Sequence, residues 1–301
     1  MRTKPCHLSR LVFIAALAVV FALALTAEIR AQRFNLAKVV ELLEKSECTT
    51  VAVGKIKICK YAYKFENKAV EAVIVRPAAE GKYPSLLLLP GFDRTAADLI
   101  PYGVMYAHEG FAALSITPPG FGRSEGRADF VGAHTQKVFV AGWQKFKQES
   151  FVDAERMGIY GHSRGGMAAS LLAVQLPDAK AAVVASGIYD FRRAFEEIEL
   201  KGMRDKMTEE TGMTDEAVRA RSSVLQMASL QIPVLILHGE KDEKTPVSQA
   251  YLLRDRLSVL KKDFEIKIFA EAGHLLDAKE VVALTTDFFR RRMKIAARTQ
   301  K

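Results

Sequence analysis

Residues 156–172 read Arg-Met-Gly-Ile-Tyr-Gly-His-Ser-Arg-Gly-Gly-Met-Ala-Ala-Ser-Leu-Leu, and this stretch decides the fold. A short apolar strand, Met157 to Tyr160, runs through Gly161-His162-Ser163-Arg164-Gly165 directly into a helical segment of small and apolar residues. A serine on such a strand-to-helix turn projects its hydroxyl from the edge of a sheet. The flanking glycines are required because the turn is strained and the helix passes close to the strand. The helix N-terminus aims partial positive charge at the space in front of the hydroxyl. A second stretch, Gly122-Arg123-Ser124-Glu125-Gly126, has the same spacing. It follows Pro118-Pro119-Gly120-Phe121 and leads into polar Arg127-Ala128-Asp129 without a helix, so it reads as a loop and Ser124 as a lookalike.

Working outward, Ser85–Leu89 is a continuous apolar run, as expected of a strand buried on both faces of a parallel sheet. Similar runs recur at 112–116, 157–160, 181–185, 234–237 and 264–269, with helical spacing near 96–109, 134–149, 165–176, 247–260 and 278–293. Strand alternating with helix predicts an α/β fold with a doubly wound, mostly parallel sheet, and loops at the strand C-termini that hold a site. Ahead of it, residues 35–76 read as a short helix followed by a β-hairpin or meander that turns at Glu66-Asn67-Lys68. Residues 188–230 break the alternation: polar, helix-prone and without a strand, they predict an inserted helical cap.

The 301 residues are 49% hydrophobic and 26% charged, which excludes a disordered chain or a small disulfide scaffold. The net charge is +9, of which about +6 lies beyond residue 31, with no long Lys/Arg block. No nucleic-acid partner is therefore expected. Arg2, Lys4 and Arg10 precede an apolar run, Leu11–Leu25, the layout of a secretory signal. Fifteen apolar residues are short for a membrane-crossing helix, which needs about 20. Residues 1–31 are thus expected to be a signal cleaved after Ala27 or Ala31, or an uncleaved anchor, with 32–301 as one domain outside the cytoplasm, secreted or periplasmic. A membrane partner is expected only if the anchor is retained. Cys48 and Cys59 remain beyond this segment, and spacing leaves two readings open: a small disulfide-closed loop, or two unpaired thiols.

A serine nucleophile needs a base, and the base needs an orienting carboxylate. Beyond Ser163 only His238 and His274 remain as histidines. His274 lies in Glu271-Ala272-Gly273-His274, past the run 264–269 and before the last helix, and is expected to be the base. Asp242, in the loop past 234–237, is expected to be the acid, with Asp190 and Asp277 as alternatives. His162 and His238 read as structural neighbours, and His108 and His134 as surface helix residues. An oxyanion would be met by the backbone N–H groups of Arg164, after the serine, and Phe92, in Leu89-Pro90-Gly91-Phe92-Asp93 after the first core strand. No closely spaced His/Cys cluster, phosphate loop or dinucleotide fingerprint is present in the sequence, so no metal or organic cofactor is expected.

These residues resemble the α/β-hydrolase superfamily. From about Leu86 to the C-terminus they resemble the catalytic domain of the prolyl oligopeptidase family and its dienelactone-hydrolase-like relatives. The pieces that carry the likeness are Val152-Asp153 ahead of 156–166, Ile232-Pro233 leading through Leu237-His238-Gly239-Glu240-Lys241-Asp242, and Ala272-Gly273-His274. The resemblance implies that Ser163, Asp242 and His274 are nucleophile, acid and base. Two departures stand out: the residues before Leu86 are too few for the family's β-propeller, and Pro90-Gly91-Phe92 replaces the usual His-Gly-Gly. The expected function is hydrolysis of a small-molecule carboxylic ester through an acyl-enzyme. Cleavage of short peptides, with Glu196, Glu197 or Glu199 meeting a peptide terminus, is the alternative, and a non-catalytic binding protein a third reading.

Overall fold

The computed structural model describes residues 34–52 and 54–296. The expected export segment, 1–31, lies outside them. Among the described residues no helix is long and apolar enough to cross a membrane.

Asn35 opens helix α1 (Leu36–Lys45) by accepting the Lys38 N–H at 3.0 Å, a side-chain N-cap. Strands β1 (Cys48–Val51), β2 (Ile56–Phe65) and β3 (Lys68–Pro77) form an antiparallel meander. Glu66 and Asn67 join β2 to β3 with φ of 50° and 62°. Two left-handed residues give the turn whose twist matches that of the flanking strands. Cys48 lies directly across from Cys59 in the β1–β2 register, and the two form a disulfide.

The parallel sheet begins at β4 (Tyr83–Leu89), whose residues Leu86 to Leu89 are fully buried. A 3-10 turn (Ala96–Leu99) and helix α2 (Ile100–His108) lead to β5 (Ala112–Ile116). The helix expected over 96–109 is thus split, with Pro101 in the first turn of α2, where its missing N–H costs nothing. Then follow α3 (Ala133–Phe146), β6 (Val152–His162), α4 (Arg164–Gln175) and β7 (Ala181–Ala185). Between β7 and β8 (Val234–Gly239) come three short helices, α5 (Phe191–Glu197), α6 (Lys201–Thr211) and α7 (Asp215–Arg221). Helix α8 (Ser248–Val259), β9 (Phe264–Phe269) and α9 (Ala278–Arg292) complete the order.

Among the described residues, nine strands lie in the order β1-β2-β3-β5-β4-β6-β7-β8-β9. Pairing is antiparallel as far as β3–β5 and parallel from there on. The chain leaves β4 to one side for β5 and returns on the other for β6, so the winding reverses at β4. Crevices at such a reversal, at the strand C-termini, are where ligands bind in doubly wound sheets. One face of the sheet packs on α3, α4 and the helices between β7 and β8, with Phe139, Trp143, Phe191 and Met207 in a common core. The other packs on α2 and α9 through Tyr106, Phe288 and Phe289. β9 is half-buried because it ends the sheet, where no neighbour covers its outer edge.

The disulfide closes a loop of eleven residues at the opposite edge. Replacing both cysteines by serine is expected to cost about 3 kcal/mol through the freed unfolded chain. Thermal unfolding checks this: Tm is expected to fall by roughly 5–10 °C, and an unchanged Tm would contradict it.

Candidate active site

Ser163 sits between β6 and α4 with φ 59° and ψ −124°, a conformation that costs a non-glycine residue roughly 1–3 kcal/mol. It persists because its surroundings leave no other path. The Ser163 N–H donates to the Ala185 carbonyl at the end of β7 at 2.8 Å, and the Ser163 carbonyl accepts the Met167 N–H at 3.1 Å. A Cβ on Gly161 would run into the Gly165 carbonyl, one on Gly165 into the Leu89 carbonyl, and one on Gly166 into that of Ala185. Three glycines thus let the turn wedge against β4, β6 and β7 together.

The loops after β8 and β9 deliver the other two side chains. Glu240 and Lys241 donate backbone N–H bonds to the Phe269 and Ala272 carbonyls at 2.9 and 3.0 Å, zipping one loop to the other. Gly239 has no room for a Cβ against the Ala272 and Gly273 carbonyls. This approach brings Asp242 to His274: the ring Nδ1 donates to Oδ1 and Oδ2 at 3.0 and 2.9 Å. With the proton on Nδ1, Nε2 carries the lone pair, and it accepts from the Ser163 hydroxyl at 2.9 Å. Asp242 also accepts the N–H groups of Lys244 and Thr245 at 2.9 and 2.8 Å. Burial works against the Asp242 charge, but the hydrogen bonds from His238, His274 and Thr245 outweigh it and hold the carboxyl well below the usual carboxylate range.

Of the alternative acids, Asp190 caps α5 by accepting the Arg193 N–H and Asp277 caps α9 by accepting the Glu280 N–H. Neither reaches the histidine. Ser124 is consumed by structure: its hydroxyl donates to the Thr117 carbonyl at 2.7 Å and accepts the Glu71 N–H at 2.9 Å. His134 lies on α3 beside Phe65 and Glu66, and His108 ends α2.

Two histidines brace the site. His162 Nε2 donates to the His274 carbonyl at 2.8 Å, pinning the loop that carries His274 to the residue before Ser163. His238 Nε2 faces the Thr245 carbonyl at 2.9 Å and Asp242 Oδ2 at 3.2 Å; both are acceptors, so this nitrogen carries the proton and steadies the acid. Glu243, which sequence reasoning did not single out, accepts the His274 N–H at 3.2 Å.

The loop after β4 passes close to Ser163: a Cβ on Gly91 would lie 3.5 Å from that of Ser163. Phe92 follows it. Arg164 opens α4, so its N–H is one of the first-turn donors with no intrahelical acceptor. The Arg164 side chain, absent from the sequence argument, is buried under the Phe92 and Phe130 rings and paired with Glu210 of α6.

Burial, reinforced by the neighbouring His274, pushes the His162 imidazole down from 6.5 to about 4. The fold therefore keeps it neutral where the unfolded chain would protonate it. Its contribution to stability is present in full above about 6.5, falls as pH drops below that value, and stops changing near 4. The change amounts to about 3 kcal/mol. Chemical denaturation at stepped pH checks this: His162→Gln, which keeps a donor for the His274 carbonyl, is expected to flatten the decline between pH 6.5 and 4. Parallel curves for the two proteins would contradict it.

The sequence profile of the prolyl oligopeptidase family matches residues 125–296, which include Ser163, Asp242 and His274. The uncharacterized peptidase YtmA of Bacillus subtilis is 28% identical over 231 residues, covering 75% of this chain and 89% of that protein. The acylaminoacyl peptidase of Pyrococcus horikoshii superposes with a TM-score of 0.70 at 19% identity over 82% of this chain, and the chain spans 43% of that protein's length. The acetyl xylan esterase of Paenibacillus sp. R4 superposes with a TM-score of 0.67 at 18% identity, over 85% of this chain and 92% of that one. At such identities the two superpositions establish the α/β-hydrolase fold. The family match covers more than half of the sequence, so this chain belongs to the prolyl oligopeptidase family of serine hydrolases.

Proposed function

We propose that this protein is an exported hydrolase of small carboxylic esters, acting through an acyl-enzyme on Ser163. The observation that carries the reading is the unbroken relay from Ser163 Oγ through His274 to Asp242, with each step within hydrogen-bond reach. His274 Nε2 takes the hydroxyl proton as Oγ attacks the carbonyl carbon. Asp242, held ionised, fixes the ring tautomer and stabilises the imidazolium that forms. The N–H groups of Phe92 and Arg164 receive the oxyanion, a contribution of about 10²–10³ in rate for each donor. Collapse of the tetrahedral intermediate expels the alcohol, which takes the proton from His274. A water activated by the same nitrogen then releases the acid and restores the serine.

Esters are favoured over peptides because, of the three glutamates that could meet a peptide's ammonium group, Glu197 is already engaged, and so is the nearby Glu210 of α6. Glu197 is paired with Arg193 at 2.6 Å and accepts from the Ser248 hydroxyl, and Glu210 is paired with Arg164. The similarity to YtmA, named a peptidase, keeps short peptides as the second reading. Export is supported by the basic-then-apolar residues 1–31 and by the Cys48–Cys59 disulfide, which suits an oxidising compartment.

Steady-state kinetics on the protein from Gln32 onward tests this. A short-chain nitrophenyl ester is expected to be turned over at a kcat/KM well above that for an aminoacyl anilide. Ser163→Ala is expected to lower kcat by at least about 10⁴. Faster anilide cleavage would move the assignment to the peptidase reading, and unchanged ester turnover in Ser163→Ala would overturn it.

A further inference from the structure

Catalysis by two backbone donors requires that they stay at a set separation, yet they lie on different segments: Phe92 in the loop after β4, Arg164 at the start of α4. Phe92 is 37% exposed and precedes Asp93, whose φ is 53°, so this loop has no secondary structure to hold it. The Arg164 side chain packs directly against it. The Arg164 Cζ lies 4.3 Å from the centre of the Phe92 ring, 4.4 Å from that of Phe130 and 5.2 Å from that of Phe121. Glu210 Oε1 and Oε2, reaching from α6, stand 3.3 and 3.4 Å from Arg164 Nη2, and Oε2 also accepts the Phe130 N–H at 2.8 Å. The two side chains are 5% and 8% exposed.

We propose that the buried Arg164–Glu210 pair is a positioning staple for the oxyanion-binding N–H groups, the guanidinium clamping the Phe92 ring at a fixed distance from its own backbone. The staple rests on the reading of Ser163 as nucleophile. A guanidinium over aromatic faces, largely out of water, is attracted electrostatically to the electron-rich face of each ring. That holds only while the guanidinium stays buried, and an unpaired charge at this depth is strongly unfavourable. Glu210 supplies the counter-charge. The helices between β7 and β8 thereby do more than cover the sheet: α6 sets the geometry in which transition-state charge is met. Glu210 touches no reacting atom and acts through Arg164 and Phe92.

Glu210→Gln keeps the shape and an acceptor for Phe130 while removing the charge. Phe92→Leu keeps the backbone donor and the ion pair while removing the clamped ring. Both are compared with wild type and Ser163→Ala on a short-chain nitrophenyl ester, with active sites counted by fluorophosphonate titration so that misfolded protein does not enter kcat. Each variant is expected to lose about tenfold or more in kcat per site, with KM within about threefold. The double variant is expected to lose no more than the worse single one, because both break the same device. A kcat per site within twofold of wild type, or a loss confined to KM, overturns the staple while the nucleophile assignment stands. Should Glu210→Gln fail to fold, Phe92→Leu carries the test alone. A wild type inert to ester and fluorophosphonate alike, as Ser163→Ala is expected to be, overturns the reading of the site and the staple with it.

Discussion

The chain turns from β6 into α4 within the width of a single residue, and the rest of the site depends on that steric fact. Ser163 is held in a backbone conformation that side-chain-bearing residues avoid, at roughly 1–3 kcal/mol. The surrounding strands make it the only conformation available. Gly161, Gly165 and Gly166 meet neighbouring backbone so closely that a single methyl group at any of them would displace β4, β6 or β7. The strain is therefore distributed into the most buried part of the sheet, where the packing of Leu86 to Leu89 opposes any relaxation. The hydroxyl it presents points away from the sheet and toward the two loops that complete the site.

Those loops are positioned by backbone bonds before side chains enter the matter. Zipping the segment after β8 to the segment after β9 places Asp242 under His274, and His162 ties the second loop back to β6, the strand that leads into Ser163. Charge then takes one direction. A carboxylate kept ionised by three sets of donors steadies the Nδ1 proton, leaving Nε2 basic toward Ser163. The start of α4 and the loop after β4 also lie close to Ser163. In the proposed acyl transfer their N–H groups meet the oxyanion while His274 handles the proton.

Much of this was legible in the sequence because its signals are local. Apolar runs located the strands of the parallel sheet, and the serine between glycines located the turn. The order of Ser163, Asp242 and His274 along the chain anticipated which side chains the structure brings together. Asp190 and Asp277 stayed open as acids because loop position alone does not separate a helix cap from a site residue. The pattern Asp277-Ala278-Lys279-Glu280 ahead of an apolar helix was the available signal of a cap. The Cys48–Cys59 pairing depended on the β1–β2 register, which spacing does not set. The Arg164–Glu210 pair lay beyond reach for a different reason: it joins residues 46 apart across elements whose relative placement emerges only from the fold.

The most direct measurement of the account's centre is the site and rate of covalent modification by a fluorophosphonate, read by intact mass and peptide mapping in wild type and His274→Ala. The expected result is a single adduct on Ser163, forming at least about 10²-fold more slowly without the histidine base. An adduct on Ser124 or elsewhere, or labelling of Ser163 at the same rate in His274→Ala, would contradict the assignment of a strained serine activated through His274 and Asp242.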